Sequence, residues 1–287
     1  MDLDGIDAAF LYPSTGLFAG AVHDPELAGA MCRAYNRWLA DYCKPYPDRM
    51  FGMAMLPMQS IDHAIAEMRF ARCDLGFHGG FIRPNPYNNR MLHDPAYNPL
   101  WSAAEDLDFS IGIHGGGNSG MPTVGIDRFE GRGAQHIISH TIEMMLACMS
   151  MIWRGVCERH PKLRVGFLES GGGWIAPWLD RMDRHFDDQG LQRFRPQDPA
   201  ERSVPAQLLD FVRAGRTQLR GARRVYRAAQ NPVGHRLPAP RRLLPRRAAD
   251  DQGPHGGRVP RCSAPSSGRR RDRLLRAELS LAAISEA

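Results

Sequence analysis

No stretch of this 287-residue chain approaches the roughly 18 consecutive apolar residues that cross a bilayer. The opening MDLDGID is acidic and lacks a basic segment leading into an apolar one, so no secretory signal is expected. Both absences point to a cytoplasmic protein. The six cysteines (Cys32, Cys43, Cys73, Cys148, Cys157, Cys262) include no CxxC. That excludes a zinc knuckle or a disulfide framework and predicts reduced thiols. No GxGxxG follows the first apolar run, which weakens a dinucleotide-binding fold, and no HExxH occurs. The chain is 43% hydrophobic, too apolar for wholesale disorder. Its length suits one or two domains or a single α/β barrel.

Charge is unevenly placed. From residue 201 onward there are 19 arginines, no lysine and 7 acidic residues, a net +12. The first 200 residues hold 18 basic and 24 acidic residues, a net −6. The whole-chain +6 therefore belongs to the tail. A basic tail on an acidic body could contact nucleic acid. With one Tyr (Tyr226), one Phe (Phe211) and no Trp among its arginines, a solvated tail fits better, and nucleic acid is not the expected partner.

Ahead of the tail, short apolar runs alternate with longer helical patterns. Strands are predicted at 7–13, 50–57, 79–85, 109–117 and 163–173. Helices are predicted at 24–43, 60–76, 98–108, 134–160 (bent near Gly155) and 174–186, with a loop at 118–133. Asp24 and Ser60 are the expected helix caps. The strands are continuous apolar runs, as buried parallel strands are. Repeated β-α units leave an open doubly wound sheet or a closed (β/α)8 barrel. Polar residues recur at strand C-termini (Arg83, His114, Glu169). That favours the barrel, whose strand ends converge on one catalytic face.

His114 ends FSIGI and precedes three glycines; it is suited to binding a metal or moving a proton. Glu169 ends RVGFL and precedes Ser170 and three more glycines; a carboxylate there can ligate a metal or act as the catalytic base. The alternatives are a hydrogen-bonded core histidine and a carboxylate paired with arginine. Arg83 could clamp a substrate carboxylate through its planar fork, or form a structural ion pair. His136 and His140, at i and i+4, would share one helix face; without HExxH a plain polar face is favoured. Trp174 and Trp178 have the same spacing, and the methionines at 144, 145, 149 and 151 read as core filling. A glycine-rich anion loop at HGGG or SGGG remains a third reading.

FSIGIHGGG, MMLACMSMIWRGVCERHPKLRVGFLESGGGW and GGFIRPN together resemble the amidohydrolase-related metal-dependent hydrolases, in the branch of aminocarboxymuconate-semialdehyde decarboxylase. The likeness covers about residues 1–190. It implies a distorted (β/α)8 TIM barrel with one divalent metal, commonly zinc. It also implies hydrolysis or decarboxylation of a small carboxylated, often aromatic-derived substrate and, in intact relatives, a homodimer. On this resemblance His114 matches a metal-ligand histidine. Glu169 stands where many members have a second histidine. Arg83 lies where a substrate contact is plausible, with no specific role implied by the resemblance, and Trp174 is a second candidate substrate contact on its own position.

The resemblance also implies a His-x-His pair ahead of DLDGIDAAFLYP and a late aspartate, and neither occurs in the sequence. The expected architecture is therefore an incomplete barrel over 1–195 followed by an Arg/Pro-rich tail over 196–287. Read one base out of frame, 202–215, 237–257 and 268–279 can each become segments resembling the family's final strands and closing helices. The expectation is a slip of the reading frame near 190–203, an unselected tail and impaired activity.

Overall fold

Asp24 begins the first long helix. Its side chain accepts the Glu26 and Leu27 N–H groups at 2.8 and 3.0 Å, and Pro25 suits the first turn. The helix α1 (Pro25–Cys43) buries Ala28, Cys32, Asn36, Leu39 and Cys43, one face at helical spacing. Ser60 caps α2 (Ile61–Cys73) by accepting the His63 N–H. The computed structural model describes residues 1–4, 6–116, 120–187 and 208–211.

The strands are β1 (Ala9–Leu11), β2 (Met50–Gly52), β3 (Ala54–Met55), β4 (Gly79–Ile82), β5 (Ser110–His114), β6 (Val165–Leu168) and β7 (Leu208–Phe211). Helices α3 (Asn98–Asp106), α4 (Arg132–Met151), α5 (Val156–Arg159) and α6 (Ile175–Asp187) alternate with them. The strand expected over 50–57 breaks at Met53, whose N–H donates to the Leu11 carbonyl at 3.0 Å. As a result β1 pairs with β2, while β3 begins the run β3-β4-β5-β6-β7. The helix expected over 134–160 divides at Gly155, whose φ of 72° lies in the left-handed region.

Every pairing between these strands is parallel. Through Met53 the strands lie in chain order, without the reversal that marks a doubly wound sheet. This is barrel winding. Among the described residues it forms an arc with β1 and β7 at its ends, the incomplete TIM barrel expected. Ile82, Ile111, Ile113, Val165 and Phe167 join helix residues such as Leu100, Trp101, Ala147 and Val156 in the main core. Met55 and Phe81 belong to a smaller cluster with Ala19 and Cys32, packed by Tyr12 and Leu17. Alternation along each strand separates these two faces.

β7 lies within the segment expected as tail; the rest of 188–287 lies outside the described residues. Cys32, Cys43, Cys148 and Cys157 are buried and form no disulfide. Cys73 is disulfide-bonded, which the expectation of six reduced cysteines did not include. Among the described residues no helix is long and apolar enough to cross a membrane.

Candidate metal centre

Parallel pairing sets His114 beside Leu168, the residue before Glu169. The two strand ends therefore deliver their ionisable residues to one place. His114 Nε2 lies 3.4 Å from Glu169 Oε2. The His114 Nδ1–H donates to the Gly115 carbonyl at 2.5 Å, which leaves the Nε2 lone pair aimed at the site. Glu169 has φ 55°, the left-handed region, which a non-glycine residue adopts at a cost. That turn breaks the strand direction and carries the carboxylate to His114. The His114 side chain is 14% exposed and the Glu169 side chain 54%.

The third member comes from α4. His140 is 4% exposed, and one ligand atom each from His114, His140 and Glu169 lie within 4.8 Å of one another. Neither ring nitrogen of His140 has a hydrogen-bond partner among the described residues. A buried imidazole with both nitrogens unsatisfied is costly, unless something outside the protein takes one of them. Burial pushes its pKa down to about 4, helped by His114 and His136 and opposed by Glu169. The ring is thus neutral at ordinary pH, the form that ligates a metal. Two imidazoles and a carboxylate fit a divalent first-row ion.

The sequence spacing of His136 and His140 was real, but the two do not act together. Their rings lie 4.6 Å apart between centroids, yet His136 is exposed and His140 buried. His140 sits one turn before Met144 on the stripe that continues through Ala147 and Met151. A histidine on the apolar stripe of its helix was the available signal. The favoured polar-face reading therefore fails at His140.

Arg83 is 1% exposed. Its Nη1 donates to the Leu17 carbonyl at 2.9 Å, and its Nη2 to Gly116 O at 2.6 Å and Asn85 Oδ1 at 3.0 Å. Glu143, buried on α4, accepts the Val124 N–H at 2.6 Å, and burial raises its pKa. Trp174 donates its indole N–H to Ser170 Oγ at 3.3 Å and packs edge-on against Phe167. Trp178 donates to the Met145 carbonyl, a packing role. Met144 and Met151 are core residues, whereas Met149 is 37% exposed. A cavity of about 340 Å³ opens beside Met50, between Asp41, Lys44 and His78. No site residue lines it, so this cavity is not where the chemistry gathers.

The sequence matches the amidohydrolase family over residues 4–217. It is 30% identical over 174 residues to the 2-amino-3-carboxymuconate-6-semialdehyde decarboxylase of Dictyostelium discoideum, covering 61% of this chain and 46% of that protein. The fold is similar to 2,6-dihydroxybenzoate decarboxylase from Rhizobium, with a TM-score of 0.67, 22% identity, and coverage of 79% of this chain and 72% of that one. A dihydroxybenzoic acid decarboxylase from Polaromonas sp. JS666, with bound manganese and the inhibitor 2-nitroresorcinol, gives a TM-score of 0.64 at 19% identity over 79% of this chain and 70% of that one. That protein is named with manganese rather than zinc. The chain spans about half the length of the curated relatives it matches. A family match that begins before β1 and ends after β7 takes in every described strand, and the chain therefore belongs to the amidohydrolase family.

Proposed function

We propose that this chain holds one divalent metal ion between His114, His140 and Glu169 and decarboxylates a small unsaturated or aromatic carboxylic acid. The observation that carries the reading is His140: buried, neutral, without a partner on either nitrogen, and within ligand distance of the other two. When bound, the ion supplies positive charge that draws electron density onto the substrate's oxygens. Zinc and manganese both accept this donor set.

The chain's own groups divide the remaining work. The Gly115 carbonyl fixes the His114 tautomer and leaves Nε2 as its donor. Of the three, Glu169 is the most open to solvent. As the bond between the substrate carbon and its carboxylate breaks, CO2 leaves and the electron pair stays on carbon. The carbon takes up a proton from solvent, which reaches the site along the exposed side of Glu169. The buried Arg83 supplies fixed positive charge that favours an anionic substrate. Trp174, one turn beyond Glu169, offers an aromatic edge to a planar ring.

The test uses the full chain loaded with manganese or zinc and offered 2,6-dihydroxybenzoate. Stoichiometric metal uptake and CO2 release, both lost in His114→Ala and His140→Ala, are the expected result. Metal uptake without CO2 release from this or related acids retires decarboxylation alone. Failure to take up metal retires the whole proposal.

A further inference from the structure

Three separate loops meet at one guanidinium. Leu17 follows β1, Asn85 follows β4, and Gly116 follows β5; Arg83 donates to all three. Its own backbone N–H donates to the Tyr87 hydroxyl at 2.7 Å, which fixes the start of the side chain. Gly116 makes the approach feasible: a Cβ there would sit 2.9 Å from Nη1. Asn85 passes the connection on, donating to the Pro122 carbonyl at 3.0 Å. Glu143, one turn after His140 on α4, accepts from Val124. Residues 120–131 are thus tied at Pro122 through Asn85 and at Val124 through Glu143. The same helix carries the buried histidine of the metal centre.

A substrate clamp needs two guanidinium nitrogens directed at the ligand. Here Nη1 and Nη2 are both committed to the protein, and Nε has no partner among the described residues. The planar fork is used to bind three fixed acceptors at once, which the point charge of lysine cannot reproduce.

We propose that Arg83 is a positioning residue that joins the loops after β1, β4 and β5 into one cover over the metal centre, with Glu143 as its second fastening on α4. This rests on the metal-site reading for its purpose, but not for its mechanical content. Arg83 holds Gly116, the neighbour of the Gly115 whose carbonyl orients His114 and whose missing side chain admits His140. Release of the fork frees both histidines from their common support.

The test compares the full-length wild-type chain with Arg83→Lys and Gly116→Ala. The second variant keeps the charge and displaces the fork. Hydrogen exchange is read at the amides of residues 120–131, and cobalt(II) affinity and its visible d–d spectrum at the metal centre. Both variants are expected to exchange at least tenfold faster at Val124 and its neighbours, with α1 and α2 protected as in the wild type. Cobalt affinity is expected to fall about tenfold with an altered spectrum. Guanidinium added to Arg83→Ala should slow exchange in 120–131 again. Unchanged exchange in 120–131, or faster exchange spread evenly over the chain, overturns the proposal. If the wild type binds no cobalt while 120–131 still loosens locally, the metal reading falls and the loop-joining role stands. Loosened loops with unchanged cobalt affinity and spectrum overturn the claim that the cover serves the metal centre.

Discussion

Gly115 lies against the imidazole of His140: a Cβ added there would stand 3.1–3.3 Å from three of its ring atoms. The two residues come from different elements, the end of β5 and the middle of α4. The glycine is therefore the seat on which the buried ligand rests. Gly115→Ala should push the ring off its position by a few tenths of an ångström, and Gly115→Val by more. Metal affinity, measured by titration with manganese, is expected to drop roughly tenfold for alanine and further for valine, in line with the usual effect of disturbing a ligand's support. Equal affinity in all three proteins would show that His140 does not contribute a bond.

His140 should be a burden without metal. Its two nitrogens are buried and unsatisfied, a state that costs about 1–3 kcal/mol. Replacing it by leucine removes both polar atoms at similar volume. In metal-free protein, urea unfolding is expected to show His140→Leu more stable by about 1 kcal/mol or more. In excess metal the order should invert, because only the wild type gains stability from binding. A histidine kept for packing would give the opposite sign without metal.

Acid should weaken the native state through the same ring. Unfolded, His140 takes its proton near 6.5; folded, burial moves this down to about 4. Between these values the unfolded chain binds more protons, so stability falls as pH drops from about 6.5 to about 4 and is flat for this group below that. The loss should be on the order of 2 kcal/mol across the window. Glu143 works the other way. Its raised pKa favours the protonated native state, so its contribution is fully present below its ordinary range and is lost as pH rises through the raised value. Denaturation curves at several pH values, compared with His140→Leu, separate the two limbs: the variant should lack the acid limb and keep the other.

The sequence made the barrel legible because buried parallel strands are nearly pure apolar runs, and β4, β5 and β6 lie within the runs identified. His114 and Glu169 were legible because each ends such a run before glycines. His140 is hidden in the sequence, because a helical histidine beside another looks like a polar face until the stripe of Met144, Ala147 and Met151 is followed back to it. Arg83 was placed at the correct strand end, but its partners could not be read, since they are backbone carbonyls of distant loops. The break at Met53 was also hidden: a β-strand's hydrophobicity does not reveal which neighbour each half pairs with.

The arginine-rich segment makes its own prediction. Reading the gene through codons 190–203 should reveal a one-base difference that, once restored, replaces the Arg/Pro-rich residues by a continuation of alternating strands and helices. An intact frame encoding these same residues removes that account. The position of β7 at Leu208–Phe211, and a family match reaching residue 217, make the codons just beyond 203 worth reading as closely as those before it.

Asn36 fastens α1 to the broken strand, and its loss should be felt globally. The side chain is fully buried. Its Nδ2 donates to the Met55 carbonyl at 2.9 Å and to Glu67 Oε1 at 2.8 Å, while its Oδ1 accepts the Met55 N–H at 2.7 Å. Glu67 in turn takes Arg33 Nε at 2.6 Å. The amide thus completes a backbone pair at the strand end, beyond the break at Met53, and links α1 to α2 through a buried carboxylate. Asn36→Leu keeps the volume but strands the Met55 N–H and carbonyl and one Glu67 oxygen. A destabilisation of about 3 kcal/mol or more is expected, since buried groups lose partners they cannot replace. Asn36→Asp should be worse, because it sets a second carboxylate against Glu67 in a buried site. Urea midpoints for the two variants check the order; an aspartate variant as stable as the leucine one would mean that water reaches this junction.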